Sequence, residues 1–153
     1  MDDELAAVQD RSFAQAGAAT ARAYPPERRL AAAQLGSYLD RRAYAVVSSV
    51  RADGRPHAAP SLFYRRVTEF WLPTVAGSAR ERNVRAHPWL ALTVTEGDHD
   101  DHVAVLIEGP AAVLPPQEAP AEFRDRPGDW AKVWLLLRAE KVLSYAEPGV
   151  SLD

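Results

Sequence analysis

The chain has 153 residues, with 18 Lys+Arg against 21 Asp+Glu and a net charge of −3. That length predicts one domain, large enough to bury a core without a disulfide or metal staple. The absence of cysteine excludes a disulfide framework, a thiolate-held metal and a thiol nucleophile, and the slightly acidic balance is not the footprint of a nucleic-acid binder. No apolar run approaches the ~20 residues of a membrane span. The acidic start Met1-Asp2-Asp3-Glu4 is unlike the basic opening of a secretory signal. The expectation is a cytoplasmic protein with neither a membrane nor a nucleic acid as partner.

Residues 1–41 read as an Ala-rich helical segment broken at Tyr24-Pro25-Pro26. Pro26 is placed to open a second helix, which Leu30, Gln34 and Tyr38 carry at helical period to about Arg41. From residue 42 to 153 the pattern is that of strands and short turns. Tyr44–Val50 is rich in β-formers, Asp53-Gly54 is a hairpin turn, and His57–Tyr64 is predicted to return antiparallel. Val67–Thr74 is a third strand. A short helix then runs from Ser78 to His87, with Ser78 and Glu81 spaced as a capping box and Pro88 as its stop. Trp89–Thr95 and His102–Glu108 are strands around a polar turn. Gly109-Pro110 is expected to bend or bulge the chain before Ala111–Leu114. A proline-rich stretch, with a short helix at Glu118–Arg124, leads to a last strand or strand pair at Ala131–Arg138 and Lys141–Ala146. The sum is a mainly β domain with flanking helices, an antiparallel barrel or sandwich.

The chemistry concentrates in residues 70–89. A strand ends in the hydroxyl of Thr74. Ala76-Gly77 makes a small-residue turn, and a helix begins with Ser78 and Arg80. Free N–H groups, about half a positive charge, two hydroxyls and a guanidinium are the parts of a phosphate site. The plainer reading stays open beside it: Ser78 caps its own helix, and Arg80, Arg82 and Arg85 are a solvated face. Elsewhere, His99-Asp100-Asp101-His102 reads as a solvated hairpin tip rather than a metal site. His57 is expected at the surface. Ser48 and Ser49 lack a nucleophile elbow. Trp130 or Trp134 is a candidate wall for a ligand groove, the tryptophans otherwise being core or interface residues.

With Thr74, Ser78, Arg80 and Pro88 at these spacings, the Asp-Gly hairpin before them and Glu108-Gly109 after, residues 40–146 resemble the pyridoxamine 5′-phosphate oxidase-like, FMN-binding split-barrel family. The resemblance implies a six-stranded antiparallel split β-barrel that forms a homodimer, with FMN in a groove between subunits and a small organic molecule as substrate. It places the cofactor phosphate on Thr74, Ser78 and Arg80 and the ring near Pro60, Ser61 and Leu62. Asn83 is a further candidate, and Arg65 stands near the family's strand lysine. The family's second-strand arginine falls at Pro60 or Ala59, and Ala79 takes the place of one charge beside Arg80. These departures, with the lack of the oxidase's C-terminal extension, point away from pyridoxamine phosphate as substrate and toward short relatives that bind the deazaflavin coenzyme F420. A flavin would supply the hydride chemistry, so no catalytic side chain is assigned. A flavin- or haem-binding module without turnover, and a barrel that has lost its cofactor, are the alternatives.

Overall fold

The structure is a computed structural model that describes residues 2–152. The helical segment resolves into α1 (Asp2–Ala14), α2 (Ala18–Ala23), a 3-10 turn at Pro26–Arg28 and α3 (Ala32–Asp40). The second helix therefore starts six residues later than Pro26 suggested. Pro26 opens only that turn, because the Leu30 N–H is drawn away to Ser144 Oγ at 2.9 Å. Helix α3 begins where Gln34 Oε1 accepts from the Ala31 N–H at 2.8 Å.

Strands β1 (Tyr44–Val50), β2 (Pro56–Leu62), β3 (Tyr64–Arg66) and β4 (Glu69–Thr74) precede α4 (Ala79–Ala86). After it come β5 (Trp89–Glu96), β6 (Val103–Leu114), α5 (Ala121–Arg124), β7 (Val133–Arg138) and β8 (Lys141–Ala146). Among the described residues there are eight strands rather than six. One extra comes from a break at Phe63, which splits the expected 57–64 strand into β2 and β3, and another from the last segment being two strands. The Val67 start also moves: Val67 sits in the β3–β4 turn at φ 57, a left-handed conformation unfavourable to a β-branched residue. Its carbonyl is held by Arg65 Nη1 at 3.0 Å.

The sheet order is β2-β1-β5-β6-β7-β4-β3, with β8 also paired to β6, and every pairing is antiparallel. Strands β2 and β3 are the two ends of this path, yet only Phe63 separates them in the chain. The sheet must therefore curl until its ends meet, which makes a split barrel. Strand β6 is shared between the two halves. It pairs with β8 up to Glu108 and with β7 from Ala111, so the change falls at the predicted Gly109-Pro110 bend. A Cβ on Gly109 would stand 1.8 Å from the Arg138 carbonyl oxygen, so only glycine permits this approach.

The barrel interior is filled by Val47, Phe70, Leu72, Leu92, Ile107 and Leu135 and is closed by Leu5, Leu35 and Tyr38 of the N-terminal helices. Each buried side chain of this size contributes roughly 1.5–3 kcal/mol. On the opposite face of β4 and β7, Trp71, Trp134 and Leu136 form a second cluster with Phe123. The outer face of β1 and β5 is apolar and uncovered: Tyr44 is 63% exposed and Val46 and Trp89 41% each.

Candidate functional site

The site is built where β4 hands over to α4. Val75–Gly77 form a turn in which the Ser78 N–H donates to the Val75 carbonyl at 3.2 Å. Gly77 adopts φ 76, which glycine takes without strain. Ser78 is the N-cap, its Oγ accepting from the Glu81 N–H at 3.2 Å. Glu81 reaches back one residue further than the usual box, accepting from the Gly77 N–H at 3.0 Å. That contact, with Arg85 at 3.1 Å, holds the Glu81 carboxyl below the usual carboxylate range. The capping reading of Ser78 is therefore correct, and Gly77 has no N–H left for a ligand.

Arg80 is different. Its Nε and Nη1 are buried and make no hydrogen bond in the protein, and burial lowers its pKa. Buried N–H groups without acceptors are costly, and a guanidinium offers an anion a fork of such donors. The first turn of α4 adds N–H groups that no carbonyl of the helix can satisfy and the positive end of its dipole. Arg82 and Arg85, the other two basic residues of the helix, are occupied by the Gly77 carbonyl and by Glu81.

The remaining predicted residues divide. Thr74 is fully buried and its hydroxyl donates to the Leu72 carbonyl at 3.1 Å, leaving only acceptor capacity. Asn83, one turn beyond Arg80, is buried and donates through Nδ2 to Ser49 Oγ at 3.0 Å, so it ties α4 to β1. Arg65 is committed elsewhere. It pairs with Asp40 at 2.7 Å and Asp2 at 3.0 Å as well as the Val67 carbonyl, which leaves it no fork for a phosphate.

On β2, Pro60 is exposed and Leu62 half-buried on the outer side, while Ser61 is buried on the inner side and donates to the Leu62 carbonyl at 2.9 Å. Strand β2 is an edge, paired only to β1. The Phe63 N–H bonds the Ala43 carbonyl and the Arg51 N–H the Arg55 carbonyl. Alternation along an antiparallel ladder then turns the backbone groups of residues 56, 58, 60 and 62 to the open edge. Both prolines of the strand occupy such positions, where no ladder N–H is missed.

His57, expected at the surface, has its Nδ1 buried without a partner. It is paired with Ser49 across β1–β2, and Ser49 is the residue Asn83 holds. The signal was available in the alternation of β2: His57 shares its parity with the inward Ser61. Trp134 lies fully buried in the second cluster, and Trp130 is 45% exposed. His102 Nε2 lies 3.1 Å from Thr95 Oγ1.

These features define a split barrel whose α4 start carries two buried, unpartnered nitrogens of Arg80. The family model described as pyridoxamine 5′-phosphate oxidase matches residues 31–146, and the chain belongs to that family. No curated protein matches. Among solved structures, a conserved hypothetical protein of Mycobacterium tuberculosis is similar at TM-score 0.67 and 19% identity, covering 80% of this chain and 89% of that one. An FAD-binding protein of Mesorhizobium loti is similar at TM-score 0.63 and 20% identity, covering 76% and 93%. The haem storage protein HutZ of Vibrio cholerae is similar at TM-score 0.58 and 13% identity, covering 75% and 95%. Among the described residues, no helix is long and apolar enough to cross a membrane.

Proposed function

We propose that the protein is a homodimeric, flavin-dependent oxidoreductase that transfers a hydride between bound FMN and a small organic substrate. The observation that carries this reading is Arg80, a half-buried arginine with two buried, unpartnered guanidinium nitrogens at a helix start. A phosphate there would accept from Arg80, from the N–H groups of the first turn and from the Ser78 hydroxyl, whose proton is free while its oxygen caps the helix. When bound, the flavin itself supplies the hydride chemistry. The chain's own tasks are then to hold the phosphate, to offer the open edge of β2 near Pro60, Ser61 and Leu62 to the ring, and to exclude water. The apolar outer face of β1 and β5 supports a second copy as its cover, and the site would lie in the groove between the two.

The test is absorption and fluorescence titration of the purified protein with FMN, coenzyme F420 and haemin. FMN is expected to bind with a shifted flavin band. Arg80→Ala is expected to weaken it about tenfold or more, since hydrogen bonds to charged groups contribute ~1.5–3 kcal/mol. Equal affinity in the variant sinks the phosphate assignment. Tighter binding of F420 than FMN makes the deazaflavin the cofactor. The likeness to HutZ supports a second reading, a haem-binding module without turnover. It requires a haem band with haemin and no FMN binding.

A further inference from the structure

A cavity opens beyond the C-terminal end of β2, next to the first residues after Leu62. It measures about 320 Å³ and is walled by Leu39, Phe63, Tyr64 and Phe123. Tyr64 and Phe123 stack at 5.3 Å between centroids and 16° between planes, and Tyr64 leans on Trp134 at 6.1 Å. Such rings form a rigid apolar wall with few rotamers to lose on binding.

Three arginines border this cavity, and two are neutralised. Arg42 is paired with Glu96, and Arg65 with Asp40 and Asp2. Arg126 has no carboxylate partner among the described residues. Its guanidinium lies 5.5 Å from the Tyr64 centroid and 5.4 Å from that of Phe123. The main chain that carries it is fixed, because the backbone N–H of Arg126 donates to the Phe123 carbonyl at 3.1 Å. The turn beneath it is braced by Arg124 Nη2, which donates to the carbonyls of Gln117 at 3.0 Å and Ala119 at 2.9 Å. A cation held beside an aromatic stack is partly satisfied by the rings, its exposed N–H fork has no acceptor among the described residues, and a carboxylate matches that fork in two parallel bonds.

We infer that this cavity is a binding site for a small carboxylate with an aromatic or apolar body, with Arg126 taking the carboxylate and Tyr64 and Phe123 the body. Its volume suits a one-ring molecule. The site goes beyond the cofactor reading and needs neither FMN nor a phosphate on Arg80. Its position just past the β2 edge makes it the substrate side of the groove if that reading holds.

The experiment is an NMR titration of the whole protein with benzoate, with benzyl alcohol and benzylamine as neutral and cationic probes of the same body. Benzoate is expected to shift the Arg126 side-chain N–H and the amides of Tyr64 and Phe123 in a saturable way, and the other two probes are not. Arg126→Ala and Arg126→Gln, changes at an exposed position, are expected to weaken benzoate at least tenfold and to leave FMN titration unchanged. Absence of benzoate shifts in the native protein overturns the inference. So do equal shifts from benzyl alcohol, or native affinity in both variants. Failure of FMN to bind while benzoate behaves as described removes the cofactor reading alone.

Discussion

Single side chains in this protein act mainly by what they leave unpaired or tie down. Arg80 is left unpaired, whereas Asn83 is a tie. Replacing Asn83 by Ala strands the Ser49 hydroxyl beneath α4, and a buried polar group without its partner costs about 1–3 kcal/mol. The urea midpoint of Asn83→Ala is expected to fall accordingly with an unchanged slope. Glu69 shows the same logic through pH. Burial alone would raise its carboxyl, but hydrogen bonds from Trp71 Nε1, Arg66 and Arg138 outweigh that and hold it below the usual range. A carboxyl depressed in the folded state adds stability above its unfolded pKa of roughly 4.3, and that contribution is lost as pH falls through the folded value. The stability gap between the native protein and Glu69→Gln is therefore expected to be widest near neutrality and to close in acid, as denaturant midpoints across pH will report. The helix start that carries Ser78 and Arg80 was legible in the sequence, because its signals are local. The engagement of Arg65 was not, because its partners Asp2 and Asp40 lie 63 and 25 residues away, beyond any local signal.

At the level of elements, the decisive local device is the bend in β6. Gly109→Ala would drive a Cβ into a backbone oxygen that cannot rotate away. A loss of about 3 kcal/mol, at the upper end for overpacking, is expected in thermal melts. Nearby Ala112→Gly, on an exposed position of the same strand, is expected to lose less than half of that. Most element types were legible in the chain: the Asp-Gly hairpin, the capped α4 stopped by Pro88, and the bend itself all rest on neighbouring residues. The break at Phe63 was not. Residues 57–64 read as one β-forming run, and only the closure of the barrel sends β3 to a different partner. The late start of α3 has the same cause, since Ser144 at the far end of the chain competes for the Leu30 N–H.

For the molecule as a whole, the uncovered apolar face of β1 and β5 bears on assembly. Val46→Glu places a charge in its middle, at a position 41% exposed in one chain. The variant is expected to elute as a monomer in light-scattering chromatography and to lose FMN affinity with it. A dimer that survives this change, or a monomeric native protein, ends the shared-groove proposal. Family and fold were legible from motif spacing, because the spacing records the strand–turn–helix order. The aromatic cavity beside Arg126 was not, because α3, Phe63, β3 and α5 bring its walls together from distant stretches.

The N-terminal helices carry one more consequence. Helix α1 is fastened to β8 by Ser12 Oγ, which accepts from the Val142 N–H at 2.9 Å, and by Gln9, which is bonded to Ser144. Gln9 Nε2 also holds the Leu30 carbonyl at 2.9 Å. Helix α1 is thus completed only by a strand that lies 130 residues further along the chain. Until β8 has been made, the Leu5 and Val8 face has no finished surface to meet, so nascent chains stalled before residue 141 expose residues 2–40 to proteolysis and holdase capture.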